Sequence, residues 1–167
     1  KVPVRAAPTV ANGHVFVVNV NNQVFSFSTD TGAEAWRFEG VGEQSAVISN
    51  TSPAVAAGTV VAPYTSGELI AFREADGIPK WGDALTSLTG LSSTATMNNI
   101  GGRPVIDGNQ VIAVSHAGKM GAFALSDGAR LWTQDISGTQ TPWIAGEHVF
   151  VISGRNVLAA LSRKDGG

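Results

Sequence analysis

The sequence predicts an all-β protein, a β-propeller segment of about four four-stranded antiparallel blades, and three observations predict it. The first is a phrase that returns. "STDTGAEAW" (Ser28–Trp36), "READGIPKW" (Arg73–Trp81) and "LSDGARLW" (Leu125–Trp132) each end a polar turn in Gly and place Trp four residues later. The second is an upstream anchor. A Pro stands at one constant separation before each turn glycine, as Pro8 and Gly32, Pro53 and Gly77, Pro104 and Gly128, and a fourth pair, Pro142 and Gly166. These anchors recur about every 40–50 residues, the period of propeller blades built from short strands. The third is composition. The chain has 20 Gly among 167 residues, with Val, Ile, Thr and Ser abundant and no long stretch of helical periodicity.

Each unit reads as four strands. In the first, Ala6–Ala11 is a short strand closed by the Asn12-Gly13 turn. His14–Val20 alternates and is β-rich. Asn21-Asn22 turns into Gln23–Ser28, and Thr29–Gly32 turns into Ala33–Phe38, which carries Trp36. Asn-Gly and Asp-Gly pairs supply the positive-φ residues that tight hairpins need. "TSGELIAFREADG" and "SHAGKMGAFALSDG" fill the same hairpin slots later in the chain. The units fall at about 6–38, 51–83, 102–135 and 140–167, the last incomplete. One such sheet cannot bury both faces, so the units must stack. Trp36, Trp81 and Trp132 then pin neighbouring sheets, and Gly32, Gly77, Gly128 and Gly166 mark the turns. Phe27, Phe72, Phe123 and Leu161, each five residues before a turn glycine, are expected as core rows.

Composition narrows the function classes. Hydrophobic content is 43%, charged content 14%, and net charge −2, which argues against a nucleic-acid partner. No apolar run approaches a membrane-spanning helix. The absence of cysteine removes disulfides and thiolate metal sites. Asp30, Asp76, Asp127 and Asp165 all lie in the repeated turns and read as turn formers. His14, His116 and His148 lack the partners of a metal site. Ser115-His116 has no nucleophile-elbow context. The reading is of a protein with no catalytic, cofactor-binding or metal residues.

Connectors after the Trp strands differ in length. The one from Trp132 to Pro142 is the shortest, the one from Trp36 to Pro53 is longer, and the one from Trp81 to Pro104 is the longest, more than twice the first. The two long ones make the same topological connection in adjacent blades, so they should emerge side by side on one face. "QSAVISNT" (Gln44–Thr51) places Val47 and Ile48 where polar residues are expected. "LTSLTGLSSTATMNNI" (Leu85–Ile100) adds Leu88, Leu91, Met97 and Ile100. Apolar side chains in loops on a rigid scaffold suit a protein partner.

"AFALSDGARLW" and "IAFREADGIPKW" resemble the pyrroloquinoline-quinone-like repeat, an aliphatic–Ala–aliphatic strand followed by Asp/Thr-Gly and then Trp. The resemblance covers nearly the whole chain and implies a propeller, in that family usually of seven or eight blades. Within it, "TSPAVAAGTVVAPYTSGELIAFREADGIPKW", the long polar connector, and the stretch from "GRPVIDGNQV" to "LSRKDGG" are similar to the propeller lipoproteins of the bacterial outer-membrane β-barrel assembly machinery. That similarity implies a non-enzymatic scaffold at the periplasmic face of the outer membrane. Its partner would be the periplasmic domains of the barrel-inserting subunit, and its membrane link an upstream lipid anchor. It assigns partner binding to Val47, Ile48, Ser49, Met97, Asn98, Asn99 and Ile100. The charges of the family's loops do not carry over, because the first connector here lacks Arg around Val47 and the second has Asn98 and Asn99 in place of acids. The alternative is a segment of a quinone-dependent dehydrogenase, whose usual vicinal cysteines are missing.

The fourth unit reaches Gly167 one residue after its turn glycine. Joined end to end, the stretch from Pro142 to the next Pro8 would be shorter than the shortest unit, Pro104 to Pro142. The chain therefore reads as about half of a larger ring. Its open sheet faces invite association with a second copy to complete a pseudo-ring.

Overall fold

The computed structural model describes residues 3, 4, 6–40, 51–86 and 99–167. Within them the chain forms fifteen strands and no helix, in four sheets that follow one another along the chain. Blade 1 holds β1 (Thr9–Ala11), β2 (His14–Val18), β3 (Gln23–Ser28) and β4 (Glu34–Glu39). Blade 2 holds β5 (Ala54–Ala56), β6 (Thr59–Pro63), β7 (Glu68–Arg73) and β8 (Pro79–Ala84). Blade 3 holds β9 (Val105–Asp107), β10 (Gln110–Val114), β11 (Met120–Ala124) and β12 (Arg130–Gln134). Blade 4 has three described strands, β13 (Trp143–Ala145), β14 (His148–Ile152) and β15 (Leu158–Ser162). Every sheet is an antiparallel meander in sequence order. This is the all-β propeller architecture that the repeat predicts.

Strand alternation builds the stack. In β2, Phe16 and Val18 face blade 2, while Val15 and Val17 face the other way, because successive side chains of a strand point to opposite faces. Blade 2 answers with Val60, Ala62 and Phe72. The same positions recur at the next junctions: Val61, Leu69 and Ala71 meet Val111, Ala113 and Phe123, and Ile112, Met120 and Ala122 meet Val149 and Val151. Three clusters of one design thus fill the three junctions between blades.

The tryptophans lock these junctions. Trp36, Trp81 and Trp132 are each about nine-tenths buried, and each indole Nε1–H donates to a carbonyl of the next blade. The acceptors are Glu74 at 2.8 Å, Leu125 at 2.8 Å and Arg163 at 2.9 Å, each three residues before a turn glycine. Those glycines lie under the rings. A Cβ on Gly77 would stand 2.5 Å from Trp36, on Gly128 2.7 Å from Trp81, and on Gly166 2.8 Å from Trp132. The three also have φ of +72°, +76° and +77°, so backbone and space require glycine together. Gly32 keeps the turn, at φ +68°, but no described atom lies within 4 Å of a Cβ built there.

The core rows are corrected at the ends of the stack. Phe72 and Phe123 are fully buried, whereas Phe27 and Leu161 are only half-buried. Phe27 points away from blade 2, toward a side where no described blade stands. Leu161 lies in the blade 3–4 contact, at the edge strand of a three-stranded sheet.

Candidate interaction face

The face that carries the long connectors is set by strand direction. In each of blades 1 to 3 the second-to-third hairpin and the end of the fourth strand, where the connector leaves, lie at the same end of the sheet. Sequence makes those hairpins. Asn19 Oδ1 accepts from the amides of Asn21 (2.9 Å) and Gln23 (3.0 Å). At the matching positions Ser115 Oγ accepts from the Lys119 amide (3.2 Å) and Ser153 Oγ from the Val157 amide (3.3 Å). These side-chain turns are what Asn and Ser do best in place of a regular ladder. Each incoming connector then bridges the hairpin at one repeated point, as Val4 to Asn19, Ile100 to Ser115 and Gly138 to Ser153.

Blade 2 departs from this pattern. Its hairpin position is Tyr64, which turns inward and packs with Phe16, Trp36 and Phe72. The Tyr64 hydroxyl is buried without a hydrogen-bond partner. Burial, followed by the charge of Glu68, pushes its pKa well above the ordinary tyrosine value. Sequence reading overlooked this residue, although a Tyr where the repeat has Asn or Ser was the available signal.

The described ends of the two long connectors meet. Thr51, at the end of the first, donates its hydroxyl proton to the Ile100 carbonyl at the end of the second, at 3.0 Å. Gly101 and Gly102 follow, and a Cβ on either would collide with the backbone of Gly138 or Gln140, so the next connector crosses directly over them. The "GGRP" stretch is therefore a close backbone crossing as well as the lead into β9.

Among the seven residues assigned to partner binding, Val47, Ile48, Ser49, Met97 and Asn98 lie outside the described residues. Asn99 and Ile100 are described, and both are buried. Ile100 is fully covered among Leu85, Val111 and Phe123, and the Asn99 side-chain oxygen is buried without a partner. Both side chains thus lie buried at the base of the second connector. The repeat residues Trp36, Trp81, Trp132, Gly77, Gly128 and Gly166 come together at the junctions, as expected, and Gly32 stands apart.

The turn aspartates do turn work. Asp76, Asp127 and Asp165 each accept the backbone amide two residues on, from Ile78 (3.2 Å), Ala129 (2.9 Å) and Gly167 (3.2 Å). The Asp76 carboxyl is held below the usual range by hydrogen bonds from Arg73 first, and the Asp165 carboxyl chiefly by Ser162. His14 hydrogen-bonds Ser26 at 3.0 Å and stacks on Phe16. No group of three or more His, Cys, Asp or Glu that could hold a metal ion occurs among the described residues, nor any helix long and apolar enough to cross a membrane. A groove of about 630 Å³ runs along the first strands of blades 2 to 4, lined by Val55, Arg103, Ile106, Asp107, Trp143 and Arg163.

Comparisons with known proteins agree with this architecture. The family model described as outer membrane protein assembly factor BamB matches residues 1–167. The assembly factor BamB of Nitrosomonas eutropha is 27% identical over 148 residues, covering 89% of this chain and 36% of that protein. That of Burkholderia pseudomallei is 28% identical over 173 residues, covering 95% and 44%. The chain thus spans about two-fifths of the length of the curated relatives it matches. The crystal structure of BamB from Moraxella catarrhalis superposes with a TM-score of 0.84 at 21% identity, over 96% of this chain and 49% of that one. A quinohemoprotein alcohol dehydrogenase from Comamonas testosteroni superposes at 0.76 and 17% identity, over 98% and 34%. At such identities the structural likenesses establish the fold alone.

Proposed function

We propose that this chain, which belongs to the family of the outer membrane protein assembly factor BamB, serves outer membrane protein assembly as a non-enzymatic scaffold. It works at the periplasmic face of the outer membrane, tethered there by a lipid anchor outside this sequence. Its partner is the barrel-inserting subunit, bound through that subunit's periplasmic domains. The contact runs through the two long connectors, with Val47, Ile48, Ser49, Met97 and Asn98 reaching the partner. Asn99 and Ile100, buried at the base of the second connector, complete the assigned set beside that contact. The observation that carries this reading is the Thr51–Ile100 hydrogen bond, which sets the bases of both connectors side by side on a rigid stack. A rigid base lowers the ordering cost of binding, which is the use of a scaffold. The dehydrogenase alternative has only fold likeness behind it.

The test is calorimetric titration of this chain with the periplasmic domains of the barrel-inserting subunit from the same bacterium. A second sample lacks residues 88–97, replaced by a short Gly-Ser link. Leu85 and Ile100, both core residues, are kept so that the blade 2–3 junction survives. Binding by the native chain and a loss of at least about tenfold in the shortened one, at unchanged thermal midpoint, supports the reading. Equal binding by both removes the connector as the site. No binding by either removes the partner.

A further inference from the structure

The described ends of the second connector converge on the hairpin between β6 and β7. The Gly67 carbonyl accepts the Leu85 amide at 2.9 Å, just after β8, and the Tyr64 carbonyl accepts the Ile100 amide at 3.4 Å. The Ile100 carbonyl in turn accepts from Thr51, where the first connector ends. The same hairpin is tied to blade 1, because the Thr65 amide and hydroxyl both donate to Asn22 Oδ1, at 3.3 and 3.1 Å.

The bond from connector to hairpin is a feature of the repeat. At the next blade the Gly138 amide donates to the Ser115 carbonyl in the same way, at 3.1 Å. What fixes the hairpin is not repeated. In blades 1, 3 and 4 the residue at this position closes its own turn with a side-chain oxygen, as Asn19, Ser115 and Ser153. Tyr64 makes no such bond. Its ring lies in the blade 1–2 core with Phe16, Trp36 and Phe72, and its buried hydroxyl has no partner there. An Asn or Ser would close the turn and avoid the cost of that unpaired hydroxyl. Departures of this kind from a protein's own local rules concentrate at functional sites.

We propose that Tyr64 is a positioning residue for the partner contact: its ring, seated in the blade 1–2 core, sets the hairpin on which both described ends of the second connector rest. The proposal builds on the reading that the connectors carry that contact. A turn closed by its own side chain can open alone. A turn whose side chain is packed between two blades opens only when the packing yields. Ends fixed in advance lower the ordering cost of binding through the loop between them.

Tyr64→Ser is the discriminating change, because it restores the residue that caps this turn in blades 3 and 4 and removes only the anchor. Tyr64→Phe keeps the ring. Phe16→Ala, in the same cluster, leaves a comparable cavity without altering the hairpin, and so matches the loss of stability. Hydrogen exchange is read at the Leu85 and Ile100 amides of each free chain, and each is titrated calorimetrically with the periplasmic domains of the barrel-inserting subunit. Relative to Phe16→Ala, Tyr64→Ser should quicken exchange at both amides and weaken binding, each at least about tenfold, while Tyr64→Phe follows the native chain in both. If the serine or alanine chain loses its β circular dichroism, Tyr64→Leu and Phe16→Leu replace the pair, with the same ordering expected. Equal exchange in the two chains overturns the anchor. Quickened exchange with binding of native strength overturns the positioning role. A native chain that binds no partner removes the scaffold reading and the positioning role with it. The exchange ratio, measured without partner, separates that failure from a failure of the anchor.

Discussion

An indole, a glycine and a backbone carbonyl make each blade junction, and the glycine is the component that tolerates least. At Gly128 a methyl group meets Trp81 at 2.7 Å and φ is +76°. At Gly58 φ is +70°, but nothing lies within 4 Å, and the preceding Ala57 already sits at φ 47°. Gly58→Ala should cost about 1 kcal/mol, the left-handed strain alone. Gly128→Ala should cost about 3 kcal/mol, because the ring must also move. Denaturant midpoints of the two variants, measured together, check the difference. Tyr64 gives the second prediction at this scale. It is the only tyrosine in the chain, so ultraviolet tyrosinate absorbance reports it alone. Its folded pKa is raised by burial. The stability it contributes is complete below the ordinary tyrosine pKa, about 10, and is lost as pH rises through that value toward the folded one. Tyr64→Phe should flatten this alkaline limb. It also removes an unpaired buried hydroxyl, so the variant should gain about 1 kcal/mol at neutral pH.

At the level of elements, the blades repeat down to their irregularities. The third-to-fourth strand pairing slips at Ser26/Phe27, Ala71/Phe72 and Ala122/Phe123, the same place in three blades, just before the turn glycine. Salt bridges between blades, such as Arg130 to Asp83, are exposed and worth at most about 1 kcal/mol each. The crossing at Gly101 and Gly102 matters more. Gly102→Ala should push the 138–141 backbone outward and loosen the seam between blades 3 and 4. Hydrogen exchange should then quicken at Gly138 and Gly154, whose amides bond Ser115 and Ser137 across that seam. Unchanged exchange at both amides would refute the crossing as a structural constraint.

Across the whole molecule, burial is uneven. Blades 2 and 3 are covered on both sides, and every residue of β6 and β11 is buried. Among the described residues, blade 4 is covered on one side, and no residue of its last described strand is fully buried. Native-state exchange of this chain should be slowest in β6, β7, β10 and β11 and fastest in β13 to β15, because opening frequency follows the contacts that opening breaks.

The sequence by itself determined the architecture. The Pro-to-Gly spacing, the Trp offset and the Asn-Gly and Asp-Gly turns are local requirements of φ and strand alternation, and they recur because one unit must pack on its own copy. Sequence alone also marked the connectors by length. It could not assign Ile100, because an apolar residue in a loop reads the same whether it reaches outward or anchors the loop. Only the stack shows that its side chain is buried, with Leu85 and Val111 beside it. Nor could it separate Phe27 from Phe72, which hold equivalent places in the repeat. One faces a side where no described blade stands and the other a neighbouring blade, and burial belongs to the neighbour rather than to the residue. Tyr64 and the close crossing at Gly101 and Gly102 are likewise properties of chains meeting in space. Periodicity encodes what a strand offers, and only tertiary packing settles what covers it.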